Sequence, residues 1–522
     1  MLLRSVRALL PTANRRFSAE AVAAESPPAA SATAPASAPP SGTASKRKGG
    51  DTLGKRLLSL VYAKRSAVVT IRKWKEEGGA VRKYELNRIV RELRKLKRYK
   101  HALEICEWMR LQQDITLLAG DYAVHLDLIA KVRGLNSAEK FFEDLPSQVR
   151  GEHTCNALLH NYAKKQLYSK AEALFEKMSE CGFLKSPLPY NHILSMHVSS
   201  AQLEKVPAVI EKLKRSTSPD IITYNLWLTS CKEQNDVATA ERVFLELKKA
   251  KIPPDWFSYS ILTNLYIKNA SLEKALSTIK EMEKRTSRKT RVAYSSLLSL
   301  YTNMGDKDGL HRIWKKMNSL FPKMNDAEYT CMISSVVKLG DLKEAEKLYT
   351  EWELVSTTGD PRVANILLAA QVNNGQMELA EKFYERVAKK GVAPCYTTWE
   401  LLTWGYLKEK QMDKAFYYLN KAIGSVEKWN FDRKLIAELF ENLQERGNVE
   451  GAEELLVILR NAGHLSTEVY NSLLQTYAKA GVMPLVIAER MKKDGVSMND
   501  ETCKLLDETS KMCMTEVSCK FS

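Results

Sequence analysis

The chain has 522 residues, 44% apolar and 27% charged, enough apolar side chains for a folded core over most of its length. Length alone suggests roughly two to four ordinary domains. Its 79 Lys and Arg exceed 62 Asp and Glu by 17, a surplus that asks for an anionic partner, and no apolar run is long enough to span a membrane.

The surplus sits at the N-terminal end. Residues 1–50 hold seven Lys/Arg against two Asp/Glu, and residues 51–118 hold seventeen against eight, so the remaining 404 residues net only +3. Residues 1–17 are Arg-rich and lack acids, with Leu2, Leu3, Val6, Leu9 and Leu10 able to share one helical face opposite Arg4 and Arg7. That pattern predicts an organellar transit peptide, mitochondrial in view of Arg15-Arg16-Phe17-Ser18, with chloroplast import as the alternative. Residues 18–52 read as a disordered linker, since 22 of the 28 residues in 18–45 are Ala, Pro or Ser. A near match to a phosphate-binding loop at residues 49–56 puts Arg56 where a hydroxyl must reach magnesium, and no strand precedes it. Residues 53–82 are expected to form a helical cap.

A repeat then governs the chain. Tyr190-Asn191, Tyr224-Asn225, Tyr259-Ser260, Tyr294-Ser295 and Tyr329-Thr330 step by 34, 35, 35 and 35 residues. The same period reaches Ala364-Asn365 and Trp399-Glu400 forwards, and Cys155-Asn156, Tyr122-Ala123 and Leu86-Asn87 backwards. Tyr470-Asn471 follows a degenerate unit near Ile436-Ala437. Sixteen residues after the opening position stands Ala138, Ala171, Ala240, Ala275, Ala345, Ala380, Ala415 or Ala452, each starting an apolar helical face. Each unit therefore reads as helix, tight turn, helix. One such hairpin cannot bury its apolar face alone, but a stack can. The fold expected is all-α, a right-handed α-solenoid of about twelve helix-turn-helix units over residues 83–499, with a half repeat and tail at 500–522.

With ITYN at residues 222–225, an Ala-centred second helix and PPD at residues 253–255, the unit resembles the pentatricopeptide repeat. The tetratricopeptide repeat lacks both the Tyr-Asn opening and the Pro-Asp close. KRYKHALEICEWM at residues 97–109 is similar to the plain, P-type plant organellar members.

The resemblance implies that first helices line a concave groove and read single-stranded RNA, one base per unit. It implies a pairing of the residue after the aromatic with the last residue of the unit. Asn156 with Ser186 implies cytosine. Asn191 with Asp220 and Asn225 with Asp255 imply uracil. Ser260 is off-pattern, Ser295 with Asn325 implies adenine, and Thr330 with Asp360 implies guanine. Asn365 is paired with Cys395, and Asn471 with Asn499 implies a pyrimidine. The implied preference is near 5′-C-U-U-x-A-G-Y-3′. Leu188, Ile222, Phe257 and Val292 take the family's base-clamping place, from which Ala327 and Arg362 depart. Arg88, Arg91, Arg94, Lys95, Lys97, Arg98 and Lys100 are candidates for phosphate or ribosomal RNA contacts.

Catalysis finds no motif. The eight His and nine Cys show no H-E-x-x-H or C-x-x-C spacing, and the deaminase signature H-x-E with P-C-x-x-C is absent. No cofactor, metal or small-molecule substrate is expected. Two functions fit: an RNA-binding factor that stabilises, processes or promotes translation of organellar transcripts without its own catalysis, and a structural component of an assembly such as the mitochondrial ribosome.

Overall fold

The structure is a computed structural model that describes residues 51–60, 65–356, 358–426, 429, 432–484 and 486–519, with side chains as far as residue 510. The expected transit peptide and all but the last two residues of the linker lie outside the described residues. Among the described residues every regular element is helical. Two helices, Leu53–Leu58 and Ala67–Glu76, precede the repeats. Thr52, inside the phosphate-loop look-alike, N-caps the first of them.

The hairpin at Ile221–Gln234 and Val237–Lys249 shows how sequence makes the unit. The Asp220 carboxylate accepts from the Thr223 backbone N–H at 2.8 Å, satisfying a donor that the first turn leaves open. Asn235 ends the helix in the left-handed region (φ 60°), and Asp236 caps the next helix by accepting from Thr239 N at 2.9 Å. Ala240, fully buried, leads the second helix, with Val243, Phe244 and Leu247 buried behind it.

The left-handed turn recurs in register. Gln166, Ala201, Asn235, Ala270, Gly305, Gly340, Gly375 and Lys410 all carry φ between 55° and 84°. The eight alanines that open second-helix faces are all fully buried, and Tyr190, Tyr224, Tyr259, Tyr294 and Tyr470 are at most 2% exposed. A side chain no larger than methyl at each Ala lets paired helices approach closely, and the tyrosine ring fills the space between them. Tyrosine hydroxyls reach the following helix: Tyr224 donates to Glu246 at 3.1 Å and Tyr259 to Glu281 at 3.0 Å.

The chain divides into two compact units, one ending at Arg285 and one beginning at Thr286, where the sequence suggests one continuous array. Within each, first helices pack on first helices of neighbouring repeats, so a layer of first helices backs onto a layer of second helices. Lys–Glu pairs such as Lys170–Glu139, Lys274–Glu241, Lys390–Glu353 and Lys414–Glu381 tie consecutive second helices together at 2.6–3.4 Å. The hairpin that opens with the helix Thr467–Ala480 has a shortened second helix, the seven-residue Ile487–Lys493.

Candidate nucleic-acid interface

The small polar residue after each aromatic lies one turn into a first helix, where it faces the start of the next repeat. Asn191 shows the arrangement. Its Nδ2 donates to both Asp220 carboxylate oxygens (3.0 and 3.3 Å), and its Oδ1 accepts from the Thr223 hydroxyl at 2.7 Å. Asn225 repeats this with Asp255 (3.3 Å to both oxygens) and Ser258 (2.6 Å). Asn365 does so with the Cys395 sulfur (3.4 Å) and Thr398 (2.9 Å), and Asn471 with Asn499 (3.3 Å) and Thr502 (2.7 Å). Burial pushes the Cys395 thiol up, but hydrogen bonds from Thr398 and Asn365 prevail and hold it below its ordinary value.

Four of the residue pairs implied by the family resemblance are therefore brought together: 191 with 220, 225 with 255, 365 with 395 and 471 with 499. Others are not. Asn156 is buried and its Oδ1 has no partner, because Pro189 stands where the neighbouring units have a hydroxyl, and Ser186 supplies no cap bond. Asn325 caps its own helix, accepting from Glu328 N at 3.0 Å as Asp220 does from Thr223 N, and the Ser295 hydroxyl is directed at the Arg291 carbonyl (3.5 Å) rather than at Asn325. Thr330 donates back to the Asp326 carbonyl at 2.6 Å. Asp360 is engaged by the Arg362 guanidinium, which holds its carboxyl below the usual range. Ser260 is half-buried on the helix Trp256–Lys268.

Leu188, Ile222, Phe257 and Val292 are each the second residue of a first helix. Leu188 and Val292 are 40% and 49% exposed, and Ile222 and Phe257 are half-buried. Apolar side chains thus stand in solvent beside the polar register. Tyr84, 74% exposed, takes the same place on the helix Lys83–Lys95.

The basic segment separates into two groups. Arg94 bonds the buried Asp127 at 2.8 Å, and Arg98 donates to the Leu58 carbonyl at 2.5 Å. Lys95 pairs with Glu92 at 2.9 Å on the surface. Arg88, Arg91, Lys97 and Lys100 are exposed. Asp127 is also held by Lys131 at 2.8 Å, which outweighs the burial that would raise it and keeps its carboxyl low.

Sequence reasoning passes over the hydroxyls of Thr223, Ser258, Thr398 and Thr502. Their signal is in the sequence: they keep the 35-residue register one place before the residue that opens each unit. The histidine spacing, which carries no metal motif, also does not show that the His160 and His192 rings lie 4.9 Å apart. Burial lowers both, His192 to about 3. Among the described residues no group of His, Cys, Asp and Glu is placed to hold a metal ion, and no helix is long and apolar enough to cross a membrane.

Stacked helical hairpins with a register of polar residues at most junctions define a helical-repeat protein. Sequence profiles confirm and specify it: one of the PPR repeat family matches residues 219–268, and one of the PPR repeat matches residues 153–183, 257–286, 329–354 and 363–392. A mitochondrial pentatricopeptide repeat-containing protein of Arabidopsis thaliana is 59% identical over 532 aligned positions, covering 100% of this chain and 99% of the relative. Another from the same plant, also named mitochondrial, is 30% identical across 88% of this chain and 94% of its own length. The crystal structure of the pentatricopeptide repeat protein PPR10 in complex with an 18-nt psaJ RNA element superposes with a TM-score of 0.50 at 18% identity, covering 85% of this chain and 68% of that one. The chain belongs to the pentatricopeptide repeat family, and its fold is the all-α solenoid of that family.

Proposed function

We propose that the protein binds single-stranded RNA in the mitochondrion through its layer of first helices, one base per unit, and acts on transcripts by occupying them rather than by chemistry of its own. The observation that carries this reading is the recurrence of one amide-to-cap couple at Asn191, Asn225, Asn365 and Asn471. Helix capping alone requires only the cap residue itself; it does not require an amide from the preceding unit in the same register. Exposed apolar side chains beside that register supply surfaces on which bases pack. The RNA-bound state of PPR10, a protein of the same fold, supports the reading, as does the mitochondrial naming of the relatives.

The preferred RNA is close to 5′-C-U-U-x-A-G-Y-3′, with the two uracils opposite Asn191/Asp220 and Asn225/Asp255. The double variant Asn191→Ser with Asp220→Asn tests the assignment. The expected result is a change from uracil to adenine at that one nucleotide, with its neighbours unaffected. An unchanged preference overturns it.

A structural role in the mitochondrial ribosome is the second reading, favoured by the unit around Trp399. There Glu400 stands where other units have Asn, Ser or Thr, and burial raises its carboxyl while Tyr396 hydrogen-bonds it at 3.2 Å. Comigration of the tagged protein with ribosomal subunits in a sucrose gradient supports this second reading; migration free of them supports the first.

A further inference from the structure

The amides that the proposed function uses are not free to present either end to a base. In four junctions the residue one place before the next unit's opening position is a hydroxyl, and it donates to the Asn Oδ1: Thr223 to Asn191 (2.7 Å), Ser258 to Asn225 (2.6 Å), Thr398 to Asn365 (2.9 Å) and Thr502 to Asn471 (2.7 Å). All four hydroxyl residues are buried. In a fifth junction the same place holds Asp121, and the polarity is reversed: Asn87 Nδ2 donates to the carboxylate at 3.0 Å. In a sixth it holds Pro189, and the Asn156 Oδ1 is buried with no partner. Donor, acceptor and no group at one position thus go with three states of the amide.

We infer that the residue immediately before each opening position is a positioning residue that sets which end of the preceding unit's Asn faces RNA. This inference rests on base reading by those amides. With Oδ1 held by a hydroxyl, the group left for the base at Asn191, Asn225 and Asn365 is the second Nδ2–H, the one the cap does not take, a donor that seeks an acceptor on the base edge; at Asn471 Glu501 accepts from Nδ2 as well, at 3.0 Å. With a carboxylate there, the amide oxygen is released to accept from an exocyclic amine. Thr223 also lies 2.9 Å from Asp220 Oδ1, so its single proton is shared. At Thr398 the competing acceptor is the Cys395 sulfur at 3.5 Å rather than a carboxylate, so Asn365 has a firmer claim on its hydroxyl than Asn191 has.

The test measures binding of RNAs that differ only in the nucleotide opposite one unit. Thr398→Val and Thr223→Val keep side-chain volume and remove the donor, and Ser258→Ala serves if either valine variant melts early. The expected result is a loss of about fivefold in base discrimination at the matching nucleotide alone, the worth of one net hydrogen bond. Thr→Ser at the same position should restore it, and Pro189→Thr should alter discrimination opposite Asn156. Uniform weakening at all nucleotides would mark a merely structural role and overturn the inference. So would unchanged discrimination in the valine variants while Asn191→Ser alters it, a result that leaves base reading intact. If Asn191→Ser also leaves discrimination unchanged, base reading itself falls and the inference falls with it.

Discussion

At the scale of residues, the junctions carry buried polar groups whose state depends on pH. His125 is 2% exposed, packs on Phe141 with ring centroids 4.7 Å apart, and has no hydrogen-bond partner at either nitrogen. Burial, then the charges of Arg110 and Arg133, lower it to about 4. The native state therefore keeps it neutral where the unfolded chain takes a proton. Its contribution is fully present above about pH 6.5 and is lost progressively as pH falls towards 4. Moving from pH 7 to 5 should cost on the order of 2 kcal/mol at this residue. Thermal melts of His125→Phe should show a smaller drop between those pH values than the wild type. A second residue-scale prediction divides the basic segment. Joint neutralisation of Arg88, Arg91, Lys97 and Lys100 should flatten the fall of RNA affinity with salt, by about 0.7 in the log–log slope per phosphate contact removed from a single strand. Arg94→Gln should instead lower the melting temperature, because it strips a buried carboxylate of one of its two cations.

At the scale of the helix and its turn, the repeat depends on a left-handed residue between paired helices. Glycine fills it at 305, 340 and 375, but Ala201, Ala270 and Lys410 pay the steric cost of a Cβ there. Ala270→Gly should raise stability by about 0.5–1 kcal/mol, and Gly340→Ala should lower it by a similar or larger amount, both readable from urea unfolding. The buried alanines behave oppositely. At Ala345, fully buried, substitution to Leu overpacks the helix–helix contact and should cost about 1–3 kcal/mol in the same assay. This scale was the most legible in the sequence. Ala and Tyr repeat at a fixed offset, and only two packed helices explain that spacing. The left-handed turn was legible where Gly occupies it, as at Gly340 and Gly375. It was hidden at Gln166, Ala270 and Lys410, where tertiary packing overrides local preference.

At the scale of the whole molecule, one unit multiplied about twelve times accounts for the length, and the net charge of +17 is concentrated in its first 118 residues. The polar register was legible as a pattern, but its geometry was not. Sequence alone places Asn191 and Asp220 at matching positions; it does not show that the amide is buried and bonded on both sides. Nor does it show that the Ser295 hydroxyl is directed back at Arg291 and away from Asn325, or that Asp360 is covered by Arg362. Those contacts depend on which side chains face one another across a junction. They weaken the implied adenine and guanine sites relative to the two uracil sites. The two bases opposite Asn191 and Asn225 should therefore dominate selectivity over those opposite Asn156, Ser295 and Thr330. The most direct test is selection of RNA from a random pool by the purified full-length protein, followed by sequencing. The expected outcome is enrichment of a motif containing adjacent uracils, opposite Asn191 and Asn225. Recovery of RNA with no base preference at those positions would contradict the account.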